Sequence, residues 1–142
     1  MFSTSHLHPM LVHFPIALVI FGFLAELAFL FFKKEISLSK TGYYLLIAGT
    51  LAAVVAWLTG QFFTSEMDGA SGKIKDLHEL FATTTLILLL LTSVFRTTLL
   101  ILKNDNSKLK IIAFILYGLA AISVSITGYI GGSLVYNYMF GI

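Results

Sequence analysis

The sequence predicts an all-α membrane protein, a bundle of four transmembrane helices built as two tandem helical hairpins with both termini outside. Hydrophobic residues make up 58% of the 142 residues and charged residues only 11%, whereas soluble domains carry about 25% charged residues. The mean hydropathy is +0.93. Four apolar stretches are long enough to cross a bilayer core, which takes roughly 20 helical residues. We expect residues 1–142 to form this single domain.

Three short polar segments separate the four predicted spans. The spans cover residues 10–32, 43–63, 77–102 and 111–138. The connecting segments cover residues 33–40, 64–76 and 103–110. His8 before Pro9 predicts the start of the first helix, with His8 as its N-cap. Asp76 with Glu79 forms a capping box, which predicts that the third helix begins at Asp76.

Lysine and arginine residues predict the orientation, because they are enriched in short cytoplasmic loops. The first and third connecting segments carry three lysines each. The middle segment carries two lysines beside three acidic residues, and the two termini carry neither lysine nor arginine. The first and third segments are therefore predicted to face the cytoplasm, and the termini and the middle segment to face outside.

The composition excludes several classes of function. The chain contains no cysteine, which excludes disulfides, covalently attached c-type haem, and iron–sulfur clusters or zinc sites with thiolate ligands. A net charge of +2 is too small to indicate a nucleic-acid partner. The sequence shows no nucleophile–base arrangement and no phosphate-binding loop, so it does not predict hydrolysis or phosphoryl transfer. The lipid bilayer is the partner that the composition predicts.

All four histidines fall on the predicted outer side of the membrane. They are His6, His8, His13 and His78. An ionisable residue inside a span is a functional candidate by default, and neutral imidazole is a good ligand for iron, zinc and copper. His13 stands within an apolar run, and His78 lies near the start of the third span. We interpret His6 as a solvated tail residue.

The spacing of the histidines favours a haem held between two helices. His8 and His13 are five positions apart, about 140° around a regular helix, so they do not share a face. His13 and His78 come from different helices at similar depth, and we expect them to be the two axial ligands of one haem b. His8 is then expected to hold a propionate or to serve as an alternative ligand. The alternatives are a hydrogen-bonded core histidine at position 13 and a simple cap at position 8.

The fourth span carries glycines that can leave room for a flat cofactor. They are Gly128, Gly131 and Gly132. Close packing of helices is the alternative reading of such small residues. Tyr136 follows the glycines and is a further candidate for the cofactor site.

The two halves of the chain resemble each other in layout, which favours tandem hairpins related by an axis along the membrane normal. Glu26 lies 18 positions after His8, and Arg96 lies 18 positions after His78. Both charges are therefore expected about 27 Å below those starts, where they can pair across the bundle. The alternative is that each side chain reaches the inner interface separately.

Two motifs resemble a known family. The stretch HPMLVHFPIAL from His8 resembles the opening signature of bacterial membrane domains catalogued as domain of unknown function 2231, and GGSLVY from Gly131 resembles the closing signature. The likeness covers nearly the whole chain and implies a four-helix domain of the bacterial inner membrane. The motif residues carried over are His8, His13, Gly131, Gly132 and Tyr136, and His78 matches a histidine of the third helix. Some relatives are joined to Rieske or cytochrome c domains, which implies electron transfer with a separate redox partner here.

The leading hypothesis is a small electron-transfer protein of the inner membrane that binds haem b near the periplasmic face. A periplasmic cytochrome c, a Rieske-type protein or membrane quinol is the expected redox partner. A second hypothesis is a zinc or copper site for metal handling, formed by His8, His13, His78 and Glu79, in a protein that would act as a homo-oligomer. A third is a non-catalytic structural subunit of a larger membrane complex, whose histidines only cap and pack.

Overall fold

The computed structural model describes residues 7–64 and 66–139. In these ranges the chain forms five α-helices and no strands, and a short π-helical turn, Val135–Met139, follows the last helix. The helices are α1 (Leu7–Leu11), α2 (His13–Phe31), α3 (Ile36–Phe63), α4 (Gly69–Ile101) and α5 (Ser107–Leu134). Because α1 and α2 are separated only by Val12, they act as one span, and four segments are long and apolar enough to cross a membrane. The prediction of an all-α, four-span protein is confirmed.

The third span begins earlier than the sequence predicts. The predicted helix start at Asp76 is wrong, because α4 already begins at Gly69, with Asp68 in an extended conformation at the N-cap position. Asp76 therefore lies inside the helix. Lys75 forms an ion pair with Glu79 at a distance of 2.8 Å, and this i,i+4 pair stabilises the helical form of the segment.

The hairpin of α2 and α3 packs beside the hairpin of α4 and α5 to form a four-helix bundle. Across the bundle, α2 contacts α5, and α3 contacts α4. The centre is filled by the fully buried side chains of Val19, Leu46, Leu89 and Tyr117. Large apolar side chains cover much of the outer surface, as expected of a surface that lies in lipid.

The two ends of the bundle differ in charge. One end holds the α2–α3 and α4–α5 connections together with six lysines, and we call it the lysine end. Its lysines are Lys33, Lys34, Lys40, Lys103, Lys108 and Lys110. The opposite end holds α1 and the α3–α4 connection, and we call it the histidine end because His8, His13 and His78 lie there.

The buried positions of the two hairpins repeat in register. The buried residues of α2 are Pro15, Val19, Gly22 and Glu26. The residues of α4 that follow 70 positions later are Thr85, Leu89, Thr92 and Arg96. Three of these four are buried, and the side chain of Arg96 is only 14% exposed. This register confirms the tandem hairpins and relates them by an approximate two-fold axis along the bundle.

The same repeat holds for α3 and α5, with an offset of 71 positions. Gly42, Leu46 and Ala53 on α3 are buried. Their equivalents on α5, which are also buried, are Ala113, Tyr117 and Val124. Both sets contain small residues. These residues let the helices approach closely in lipid, where the hydrophobic effect does not drive helices together.

Hydroxyl groups link the two hairpins along the contact between α3 and α4. The hydroxyl groups of Thr50 and Ser93 form a buried hydrogen bond of 2.8 Å, and those of Tyr43 and Thr97 form one of 3.0 Å. Such bonds between membrane helices contribute about 0.6 kcal/mol each on average. Because each bond is weak, these bonds determine the register of the two hairpins more than they stabilise the contact between them.

The predicted pairing of the two deep charges is confirmed. Arg96 binds Glu26 through both terminal nitrogens of its guanidinium, with 3.4 Å between Nη1 and Oε2. Glu26 is only 5% exposed. Arg96 also lies 3.5 Å from the hydroxyl of Ser39. A Cβ atom at Gly42 would lie 2.5 Å from Cγ of Glu26, so a glycine there leaves the room that the carboxylate needs.

We expect removal of one partner of this pair to destabilise the bundle strongly. Arg96→Leu should cost about 3–5 kcal/mol of unfolding free energy, because it leaves the Glu26 carboxylate buried without its cation. The double variant Glu26→Gln with Arg96→Leu should recover much of that loss. Thermal unfolding of the detergent-solubilised protein measures both effects. A double variant as unstable as the sum of the two single variants would show that the residues do not act as a pair.

Candidate functional site

Two histidines from opposite halves of the chain meet at the histidine end of the bundle. The ring centroids of His8 and His78 lie 6.2 Å apart, and the ring planes make an angle of 78°. His8 belongs to α1 and His78 to α4, and they are equivalent residues of the repeat, 70 positions apart. The two rings therefore meet close to the approximate two-fold axis.

Each ring is held by a backbone carbonyl of the neighbouring helix. Nδ1 of His8 lies 2.9 Å from the carbonyl oxygen of Ala56 and 3.2 Å from the hydroxyl of Thr59. Nδ1 of His78 lies 3.2 Å from the carbonyl oxygen of Thr127. Because a carbonyl oxygen only accepts hydrogen bonds, Nδ1 of each neutral ring carries the proton and Nε2 carries the lone pair.

Two glycines allow the rings to approach the helices this closely. A Cβ atom at Gly60 would lie 2.9 Å from Cε1 of His8, and one at Gly131 would lie 2.9 Å from Cε1 of His78. Gly60 and Gly131 are again equivalent residues, 71 positions apart. The same combination of histidine, carbonyl and glycine thus occurs once in each half of the chain.

A cavity of about 330 Å³ surrounds the two rings. Its walls come from α1 and from all four long helices, and they include every residue predicted for the site. These predicted residues are His8, His13, His78, Gly128, Gly131, Gly132 and Tyr136. Most of the remaining wall is apolar, contributed by residues such as Val12, Ile16 and Ala53. The structure therefore brings the predicted residues together around one cavity.

The structure brings His8, rather than His13, next to His78. His13 lines the cavity, but its side chain is exposed, and its ring makes no hydrogen bond to a described residue. Its assignment as an axial ligand stays a prediction. The prediction that His8 is an N-cap is wrong, because α1 begins at Leu7 and the His8 ring turns to Ala56 instead of capping. His6 lies outside the described residues.

The predicted glycines differ in their surroundings. Gly131 is packed against the His78 ring. A Cβ atom at Gly128 would lie 2.8 Å from Cδ1 of Ile16, so the side chain of Ile16 fills the space beside Gly128 where α2 and α5 are in contact. At Gly132, a Cβ atom would meet no atom of the described residues within 4 Å. Tyr136 lies in the π-helical turn and is largely exposed.

Charged residues lie at one side of the cavity. Lys75 is 12% exposed at its side chain and forms ion pairs with Glu79 at 2.8 Å and with Glu66 at 3.8 Å. Glu79 thus lines the cavity and is paired with a lysine. Within residues 7–64 and 66–139, no group of three or more histidine or acidic side chains is placed to hold a metal ion.

Sequence reasoning missed Trp57 as part of the site. It lies near the end of the second predicted span, and it lines the cavity. Its indole Nε1 donates a hydrogen bond of 3.1 Å to the hydroxyl of Thr83, which joins α3 to α4 at the cavity wall. The helical spacing of Trp57 with Ala53 and Gly60, both cavity residues, is the signal that could have placed it there.

The comparisons with known proteins concern the whole chain. The model of the family described as "Predicted membrane protein (DUF2231)" matches residues 4–142. No curated protein and no solved structure matches the chain. The match covers the four apolar spans and both sequence motifs, and the chain is a multi-pass membrane protein. It belongs to the DUF2231 family of membrane proteins.

Proposed function

We propose that this protein binds one haem b at its histidine end and transfers electrons there, with His8 and His78 as the axial ligands. The observation that carries the proposal is the pair of equivalent imidazoles that meet across the bundle at a centroid distance of 6.2 Å. Each ring has its proton fixed on Nδ1 by a backbone carbonyl, which leaves Nε2 as the donor atom for a metal.

The ring separation fits one metal ion between two imidazoles. A metal–nitrogen bond of about 2.0–2.1 Å on each side places the centres of two opposed rings roughly 6 Å apart. The cavity volume of about 330 Å³ lies within the range of cofactor pockets, about 300–1,000 Å³. Its walls are mainly apolar, as a porphyrin ring requires.

The number of protein ligands favours haem over a bare metal ion. A zinc site uses four ligands, or three and a water, whereas the porphyrin supplies four nitrogens and needs two axial ligands from the protein. The described residues offer a pair of histidines and no cluster of three donors. The geometry therefore supports haem b better than the zinc or copper alternative.

The residues of this chain would position the cofactor and set its environment. When bound, haem supplies one-electron redox chemistry. The carbonyls of Ala56 and Thr127 orient the two imidazoles and raise their basicity as ligands. Gly60 and Gly131 allow each ring to lie against its helix, and the apolar wall keeps water from the site.

The lysine distribution supports a site on the outer side of the inner membrane. Six lysines mark the end opposite the histidines, and lysine-rich ends face the cytoplasm. We therefore propose an inner-membrane protein with both termini outside and the haem near the periplasmic face. A periplasmic cytochrome c or Rieske-type protein would then be within reach of the site.

A structural role is the alternative that one observation favours. Both histidines are already hydrogen-bonded within the bundle, to Ala56 and Thr127. Bonds of this kind join membrane helices without any cofactor. A non-catalytic subunit of a larger complex would retain these bonds and would bind neither haem nor metal.

An absorption spectrum of the detergent-purified protein tests the function directly. We expect a Soret band that shifts and an α band that sharpens on reduction with dithionite, at near one haem per chain. A colourless protein from haem-replete cells would contradict the proposal, and elemental analysis of the same sample would then separate a metal site from a structural subunit.

Single variants test which histidines bind the iron. His8→Leu and His78→Leu should each abolish the two-histidine spectrum, because each removes one axial ligand. His13→Leu should leave the spectrum unchanged, since the His13 ring is exposed and is not paired with His78. Loss of the spectrum in His13→Leu together with its survival in His8→Leu would instead assign His13 as the ligand.

A substitution beside the His78 ring tests whether haem binding requires a glycine at position 131. Gly131→Ala places a Cβ atom 2.9 Å from the His78 ring. It should weaken haem binding about 10- to 100-fold, the usual effect of disturbing a residue that orients a metal ligand. Gly118→Ala is the matched control on the same helix, because its Cβ would contact Phe23 instead. Titration of the protein with haem measures both, and equal affinities would exclude this role for Gly131.

A further inference from the structure

The approximate two-fold axis allows the two sides of the cavity to be compared residue by residue. On the α3–α4 side, Trp57 donates a hydrogen bond to Thr83, and the two side chains bridge the helices. The equivalent residues on the α2–α5 side are Gly128 and His13. Gly128 has no side chain, and the His13 ring makes no hydrogen bond to a described residue. The two halves thus differ at this position of the cavity wall. Among the described residues, the side-chain bridge occurs only on the α3–α4 side.

The α2–α5 side contains a gap at the level of His13. His13 is exposed and lines the cavity, and so does Gly132. Among the residues that the structure describes, a Cβ atom at Gly132 would meet nothing within 4 Å, whereas Gln61 occupies the equivalent position on the other side. Deeper in the bundle, Ile16 packs onto Gly128 and closes the wall. The opening is therefore bounded by Ile16 below, by His13 on α2 and by Gly132 on α5.

The opening lies within two spans, α1–α2 and α5. A molecule that passes between these helices reaches the cavity from the lipid rather than from water. Its rim carries the imidazole of His13 beside apolar surface and Gly132, and Tyr136 lies one helical turn beyond that glycine. This arrangement fits a flat apolar ring that carries a hydroxyl or carbonyl group and whose tail remains in the membrane.

We propose that a lipid-soluble quinol docks in this opening, with a hydroxyl group bonded to His13 and its ring against Gly132. This inference rests on the proposed function and names the partner of the haem. Oxidation of one quinol to the quinone releases two electrons and two protons. With haem held by His8 and His78, each protein molecule would accept one electron, so the oxidation of one quinol would require two protein molecules. His13 accepts the first proton, and the second passes to water at the membrane surface.

The assignment gives the exposed His13 a role that differs from that of a metal ligand. His8 and His78 are bonded to backbone carbonyls and are fixed in orientation. An acceptor for the proton of a substrate hydroxyl must instead lie at the entrance, where the substrate arrives, and must be able to release the proton to water. His13 lines the cavity, and it lies only five residues from the start of the span at His8, which places it near the membrane surface.

Reduction of the haem by decyl-ubiquinol, a short-tailed quinol, tests the proposal on the full chain loaded with haem. His13→Leu should slow this reduction at least tenfold, whereas reduction by dithionite should be unchanged. His13→Gln should be intermediate, because an amide retains the hydrogen bond to the hydroxyl but accepts no proton. Equal rates in His13→Leu and the natural sequence would overturn the role of His13.

A second pair of variants tests the opening itself. Gly132→Leu fills the gap and should weaken decyl-ubiquinone binding at least tenfold. Ser125→Leu adds the same side chain to the exposed surface of α5 two turns away, outside the cavity lining, and should have no effect. Trp57 is the single tryptophan of the chain and lines the cavity, so quenching of its fluorescence by decyl-ubiquinone reports binding without haem.

The outcomes separate this inference from the proposed function. Haem binding without saturable quenching of Trp57 by the quinone would retain the haem and overturn the quinol site, and would leave a water-soluble redox protein as the partner. Saturable quenching that Gly132→Leu abolishes, in a protein that binds no haem, would overturn the haem and retain the quinone site. Quenching that Gly132→Leu and Ser125→Leu leave equally unchanged would place the quinone elsewhere.

Discussion

The structure depends on one constraint: each polar group buried in the membrane must find its partner inside the bundle. The two hairpins repeat, so equivalent residues of the two halves can meet at the axis between them. Glu26 and Arg96 meet in this way near the lysine end, and His8 and His78 meet in this way at the histidine end. The ion pair fixes the register of the hairpins, and this register brings together the two histidines that lie 18 residues before these charges in each half.

The ion pair and the histidine pair require different kinds of side chain. Identical residues that face each other at an axis repel if both are charged, and two carboxylates or two guanidiniums would be unfavourable in lipid. The repeat differs at that level, with Glu26 in one half and Arg96 in the other. Neutral imidazoles impose no such penalty, and the repeat retains histidine in both halves. A symmetric pair of neutral donors is the arrangement that a cofactor with two axial positions can use.

The sequence alone predicted what depends on composition and on spacing along a helix. The four spans follow from apolar length, and the Glu26–Arg96 pair follows from equal distances to the histidines. It favoured His13 over His8 because His13 stands within an apolar run, whereas the structure brings the His8 ring next to His78. The position of the His8 ring depends on the carbonyl of Ala56 in another helix. The same spacing of 18 residues, applied to the histidines themselves, contained the signal for the pair.

The equivalent and the differing positions of the repeat have separate roles. Where the halves agree, at the histidines and at Gly60 and Gly131, two imidazole rings lie in equivalent surroundings. Where they differ, one side is bridged by Trp57 and Thr83, and the other is open beside His13. A fully symmetric wall would be closed on both sides or open on both. In the proposed function, the equivalent histidines would hold the haem, and the side on which the Trp57–Thr83 bridge has no counterpart would admit the quinol from the lipid.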